Sequence, residues 1–151
     1  MVILSASFIN YMYSYSGPID AASLTPARIA LSVPLVNSFT HPLVAGPVLA
    51  SHPLDVQDFP SMASDPLASP VAHVGPPSIN IEAKLVGVDD ELVENGADPV
   101  GVLLIRGPPV GTLLGMEDYV AVPASDEEDG WVGTGKRAKV QSNGSFKVLT
   151  R

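Results

Sequence analysis

The sequence predicts an α+β fold that is mainly β, and three observations lead there. Apolar residues fill 46% of the 151 positions, enough to bury a core. Fifteen prolines and thirteen glycines interrupt the chain too often for long helices and favour short strands joined by turns. Toward the end, apolar and polar residues alternate with period 2 between turn signals, the pattern of half-buried strands.

Charge narrows the function classes. The formal net charge is −8, which disfavours nucleic acid and anionic lipid as partners. There is no cysteine, so disulfides and thiolate chemistry are excluded, while no compartment is assigned. Arg28 is the only basic residue before Lys84, and no charged residue lies before Asp20 or between Arg28 and Asp55. The first uncharged stretch lacks the basic start of a secretory signal and is rich in Ser, Asn and Tyr. The second, residues 29–54, is long enough to span a bilayer. Pro34, Pro42, Pro47 and Pro53 interrupt it, and Asn37, Thr40, His41 and His52 would be costly in lipid. Core strands and turns are the preferred reading of that stretch, with membrane association the alternative.

Taken in order, residues 1–28 are aromatic-rich and then turn-like, with Gly17-Pro18 as a breaker and Thr25-Pro26 as a helix start. Residues 29–78 are apolar and proline-punctuated; residues 43–50 suit a buried strand, although proline argues against a central one. Residues 59–70 read as an exposed loop. From residue 79, INIEAKLVGV alternates, with Ile79, Ile81, Ala83 and Leu85 on one face. Residues 89–99 form an acidic turn region. Residues 100–105 form a buried strand that Arg106-Gly107-Pro108-Pro109 ends abruptly. Residues 136–141 and 145–149 are strands flanking Ser142-Asn143-Gly144, where Asn-Gly suits a primed hairpin turn with two positive φ angles. This last part reads as a small antiparallel β unit.

In sequence order the chain presents His73-Val74-Gly75-Pro76-Pro77, INIEAKLV, GVLLIRGPPV, Tyr119 and DGWVGTGKRAKVQSNGSFKVLTR. The ordered set resembles the closing segment of the large domain of adenylate-forming enzymes, which include the acid–CoA ligases (acyl-CoA synthetases). The resemblance implies a partial large domain: residues 1–72 a remnant of its core, and 73–151 its β-rich closing segment, ending at the hinge before a small C-terminal domain. It also implies a carboxylic acid substrate, fatty acids among them, together with ATP/AMP, Mg²⁺ and CoA. A carboxylate attacks the α-phosphate of ATP, and a thiol then displaces AMP from the acyl-adenylate.

Carried over position by position, Thr134 and Gly135 match the family's Thr-Gly-Asp motif, but the third residue is Lys136. The family's Asp accepts both ribose hydroxyls; an ammonium has three donors and no acceptor, and suits a phosphate instead. Arg151 stands where the family keeps a ribose-contacting arginine, after Thr150 in place of an Asp. Asp55, in Ser51-His52-Pro53-Leu54-Asp55, corresponds to the Glu that reaches Mg²⁺ in the family's adenine-cradling motif. The sequence contains no Ser/Thr/Gly-rich phosphate loop ending in Lys-Gly, and no small-domain lysine. The expectation is a truncated or degenerate ligase that is inactive alone, with a non-catalytic β-rich interaction module as the alternative.

Other constellations are better read as structural. His41, His52 and His73 are too widely spaced for a zinc site. Ser51, His52 and Asp55 lack the Gly-x-Ser-x-Gly elbow of a hydrolase. Residues 126–129 lack the alternating ligands of a calcium loop. Trp131 reads as a packing residue. Strand alternation puts Arg137 and Lys139 on one side, a solvated face or a phosphate contact.

Overall fold

The computed structural model describes residues 12–14, 19–55, 70–111 and 129–149. Strand β1 (Met12–Ser14) precedes helix α1 (Ala21–Leu31), and β2 (Leu35–Thr40) and β3 (Pro47–Ala50) follow. They form a three-stranded sheet in the order β1-β2-β3, with β1 parallel and β3 antiparallel to β2. A parallel neighbour needs a crossover, and α1 supplies it.

The helix starts earlier than the Thr25-Pro26 pair suggests. Asp20 caps it, its carboxylate accepting the Ala22 amide at 3.0 Å. Pro26 therefore lies inside the helix, where the carbonyl it leaves without a partner belongs to exposed Ala22. Ala21 and Leu24 pack with Leu35 and Ala72 in a small core. The helix closes at Ser32, which adopts φ 53° and donates its amide to the Ile29 carbonyl.

The first four residues of β2 are buried, as a central strand requires, and Pro47 takes the opening position of β3, where a missing amide is tolerated. Buried Asn37 is satisfied within the protein: its amide donates to Ser51 Oγ and its Nδ2 to the His73 carbonyl, both at 2.9 Å. Residues 29–54 thus hold the end of α1, β2 and β3. Among the described residues no helix is long and apolar enough to cross a membrane.

The second sheet is an antiparallel meander of β4 (Glu82–Val86), β5 (Val100–Arg106), β6 (Val132–Val140) and β7 (Phe146–Leu149). Helix α2 (Asp90–Glu94), capped by Asp89, occupies the acidic region read as turn. Ile81, Ala83 and Leu85 share the core face as the alternation implies. Ile79 does not: it is 90% exposed, because Asn80 at φ 65° turns the chain before β4 begins. The hairpin also differs from expectation. Only Gly144 has positive φ, 79°, while the Asn143 side chain accepts the amide and hydroxyl of Ser145 at 3.0 and 2.7 Å. The result is a three-residue loop rather than a primed two-residue turn.

The segment around Gly75 joins the sheets. The Ala50 amide donates to the Pro76 carbonyl, while Val74 and Gly75 exchange backbone hydrogen bonds with Phe146. Gly75 has φ 80°, and a Cβ there would lie 2.2 Å from the Ala50 carbonyl oxygen, so only glycine fits. The main core accordingly mixes Val44, Val48, Leu49 and Val74 with Leu103, Ile105, Ala138 and Phe146. The fold is mainly β, as predicted, with its antiparallel unit at the C-terminal end.

Candidate functional site

Strand β6 carries the most distinctive local chemistry. It pairs with β5 through Val102↔Arg137 and Leu104↔Gly133, so Thr134, Gly135 and Lys136 together oppose Leu103. This is a bulge, and Gly135 takes φ 65° within it. Buried Thr134 fastens it: its Oγ1 donates to the Leu103 carbonyl at 2.9 Å and accepts the Lys136 amide at 3.2 Å. The hydroxyl is therefore engaged in holding the strand.

The bulge turns Lys136 toward the same hollow as Arg137. That hollow, about 250 Å³, is lined by Val102, Gly135, Lys136, Arg137 and Leu149. Val102, Arg137 and Leu149 form one rung across three strands, whereas the next rung, Gly101, Ala138 and Val148, is buried. Lys139 shares the face of Arg137 and pairs with Asp98 at 3.2 Å.

Asp55 lies elsewhere, on an open cleft of about 760 Å³ whose lining includes Ser51, His52, Pro76, Ser78, Ile79 and Pro109. The two cavities share no lining residue among the described residues. The side chains of the Ser51–Asp55 turn point to structure rather than to a hydrolase. Ser51 Oγ accepts the Asn37 amide, and His52 Nδ1 accepts the Leu54 amide at 3.2 Å. It is His73 that faces Asp55, with Nε2 to carboxylate 3.9 Å. Arg28 locks the turn to the helix, donating to the Asp55 and Leu35 carbonyls. His41 is buried, which lowers its pKa, and its Nδ1 accepts the Leu43 amide.

Trp131 is half-buried and lies under two cations, Lys84 Nζ at 4.4 Å and Arg106 at 4.7 Å from the ring centroid. Arg106 also donates to Glu82 at 2.7 Å, and this bond, ahead of the charge of Glu82, raises its pKa. The sequence reading missed this cluster; the signal was the pairing of Glu82 with Arg106 across β4 and β5. Among the described residues no group of three or more His, Asp or Glu gathers as a metal site. Arg151, Tyr119, most of the acidic run 126–129 and the loop at 59–69 lie outside the described residues.

A comparison with solved structures defines the class of fold. An anthranilate CoA ligase solved in complex with anthranoyl-AMP matches 96% of this chain at 20% identity and a TM-score of 0.64. The o-succinylbenzoate CoA synthetase of Bacillus subtilis, in complex with AMP, matches 95% at 19% identity and a TM-score of 0.65. The coronafacic acid ligase of Pectobacterium brasiliense matches 92% at 19% identity and a TM-score of 0.55. The chain covers 25%, 26% and 23% of those chains, so it spans about a quarter of their length. No protein-family model matches the sequence, and a search of curated proteins finds no match. The chain has the fold of part of an adenylate-forming acid–CoA ligase, and the match reaches well beyond the segment in which the motifs were found.

Proposed function

We propose that this chain is a degenerate member of the ATP-dependent acid–CoA ligase family that does not by itself activate a carboxylic acid. The observation that carries the reading is the fold match over more than nine-tenths of the chain to ligases solved with anthranoyl-AMP and with AMP. In this reading residues 1–72 descend from the core of the large domain and residues 73–151 from its closing segment. Thr134, Gly135 and Arg151 would border the nucleotide, and Asp55 would stand in for the magnesium-reaching Glu.

The residues present do not fit an ordinary ATP site. The Thr134 hydroxyl is committed to Leu103 and Lys136. Lys136 offers donors where the ribose hydroxyls need an acceptor. Asp55 lies on a different cavity from Gly135. No step is therefore assigned to nucleotide, Mg²⁺ or CoA in this chain. The sequence also lacks the Lys-Gly phosphate loop that holds ATP in the family.

The purified chain, incubated with ATP, Mg²⁺ and a panel of aliphatic and aromatic acids, should yield no acyl hydroxamate when hydroxylamine is added to trap acyl-adenylate. Hydroxamate accumulating with any acid would overturn the proposal. One observation favours the second reading, a β-rich interaction module. Ile79, 90% exposed, lines the cleft of Asp55, and Leu54 of the same turn is 75% exposed, apolar surface of the kind a protein partner covers.

A further inference from the structure

Lys136 and Arg137 are adjacent in sequence and would face opposite sides of a regular strand; the bulge at Gly135 brings both to one hollow. Among the described residues the other basic side chains are committed. Arg28 donates to two backbone carbonyls, Lys84 lies over Trp131, Arg106 pairs with Glu82 and Lys139 pairs with Asp98. No described residue hydrogen-bonds to or pairs with the side chain of Lys136 or Arg137, both of which are exposed. Among the described residues that line it the hollow has no carboxylate, and Val102 and Leu149 give it apolar walls. In a chain of net charge −8, two uncommitted cations beside an apolar floor are a local reversal of sign.

We infer that this hollow binds a small phosphate monoester carried on an apolar or aromatic body. The phosphate would sit between the Lys136 ammonium and the Arg137 guanidinium, which supply only donors and match a dianion of three acceptor oxygens. The body would cover Val102 and Leu149, the apolar walls that a free inorganic anion leaves unused. A volume of about 250 Å³ holds one ring and its phosphate rather than a whole dinucleotide. The inference stands on the hollow alone and does not require acid activation.

Calorimetric titration of the full chain at low ionic strength with phenyl phosphate, AMP, inorganic phosphate and phenol tests it. Phenyl phosphate should bind at least tenfold more tightly than inorganic phosphate, and phenol should not bind. Lys136→Glu and Arg137→Glu should each weaken phenyl phosphate at least tenfold, while Lys84→Glu, away from the hollow, leaves it unchanged. Lys136→Gln, which keeps a polar side chain and drops the charge, should also weaken it. AMP binding as tightly as phenyl phosphate identifies a nucleotide as the natural source, and weaker AMP binding a simpler ester. Three results overturn the inference: no binding of phenyl phosphate, equal binding of inorganic phosphate, or binding indifferent to both charge reversals. Hydroxamate formation reads a separate property, so a failure of the ligase proposal is distinguishable from a failure of this one.

Discussion

The Thr134 hydroxyl donates to the Leu103 carbonyl at 2.9 Å across the β5–β6 bulge. The same oxygen accepts the Lys136 amide, so one side chain fixes three consecutive residues in an irregular geometry. A residue that the family pattern marks for a nucleotide thus has a structural task here. Replacing Thr134 with Val removes both bonds in a buried site and should destabilise the protein by about 1–3 kcal/mol. The shift in urea midpoint measures this; an unchanged midpoint would show the hydroxyl idle.

Gly75 should tolerate alanine poorly. Gly75→Ala combines φ 80° with a Cβ 2.2 Å from the Ala50 carbonyl oxygen, and the backbone there joins the two sheets. A loss of about 2 kcal/mol or more is expected. Gly87, at φ 66° with nothing within 4 Å, gives the comparison: its alanine variant should lose about 1 kcal/mol, the cost of the left-handed backbone alone. Equal losses at the two sites would refute the contact argument.

His41 sets a pH dependence of stability. Burial holds its pKa below the ordinary 6.5, so the unfolded chain takes up a proton that the folded chain resists. This contribution is fully present above pH 6.5 and is lost as pH falls from there through the folded-state pKa. Thermal melts stepped downward from pH 7.5 should show a decline that is shallower in His41→Asn. Parallel profiles for the two proteins would remove His41 as its source.

Trp131 should report on Arg106. Arg106→Ala uncovers part of the ring and should shift its emission to the red, while the denaturation midpoint moves little, since exposed ion pairs contribute little. An unshifted spectrum would place the ring's environment under other control.

The parts legible in the sequence were those with local signals. Residues 100–105 and the hairpin strands announce themselves by apolar runs and by Asn143-Gly144, and the ordered motifs from His73 to the end carried the family resemblance. In the first half the buried strand at residues 43–50 was legible, and much of the rest was not, for physical reasons. Pro26 looks like a helix start, but Asp20 supplies the cap. The parallel pairing of β1 with β2 is a non-local choice that no short pattern encodes. Period 2 fails twice, at Ile79 and at Lys136, because Asn80 and Gly135 adopt positive φ and redirect the chain. The second failure creates the hollow, so it could not be read from alternation.

The chain has the fold of part of a ligase, and its proposed lack of ligase chemistry is read directly in ATP–pyrophosphate exchange. The purified chain with Mg²⁺, labelled pyrophosphate and the same panel of acids should give no label in ATP above the rate without acid. Acid-dependent exchange would contradict the account, because it would show that Lys136 and the engaged Thr134 hydroxyl leave adenylation intact.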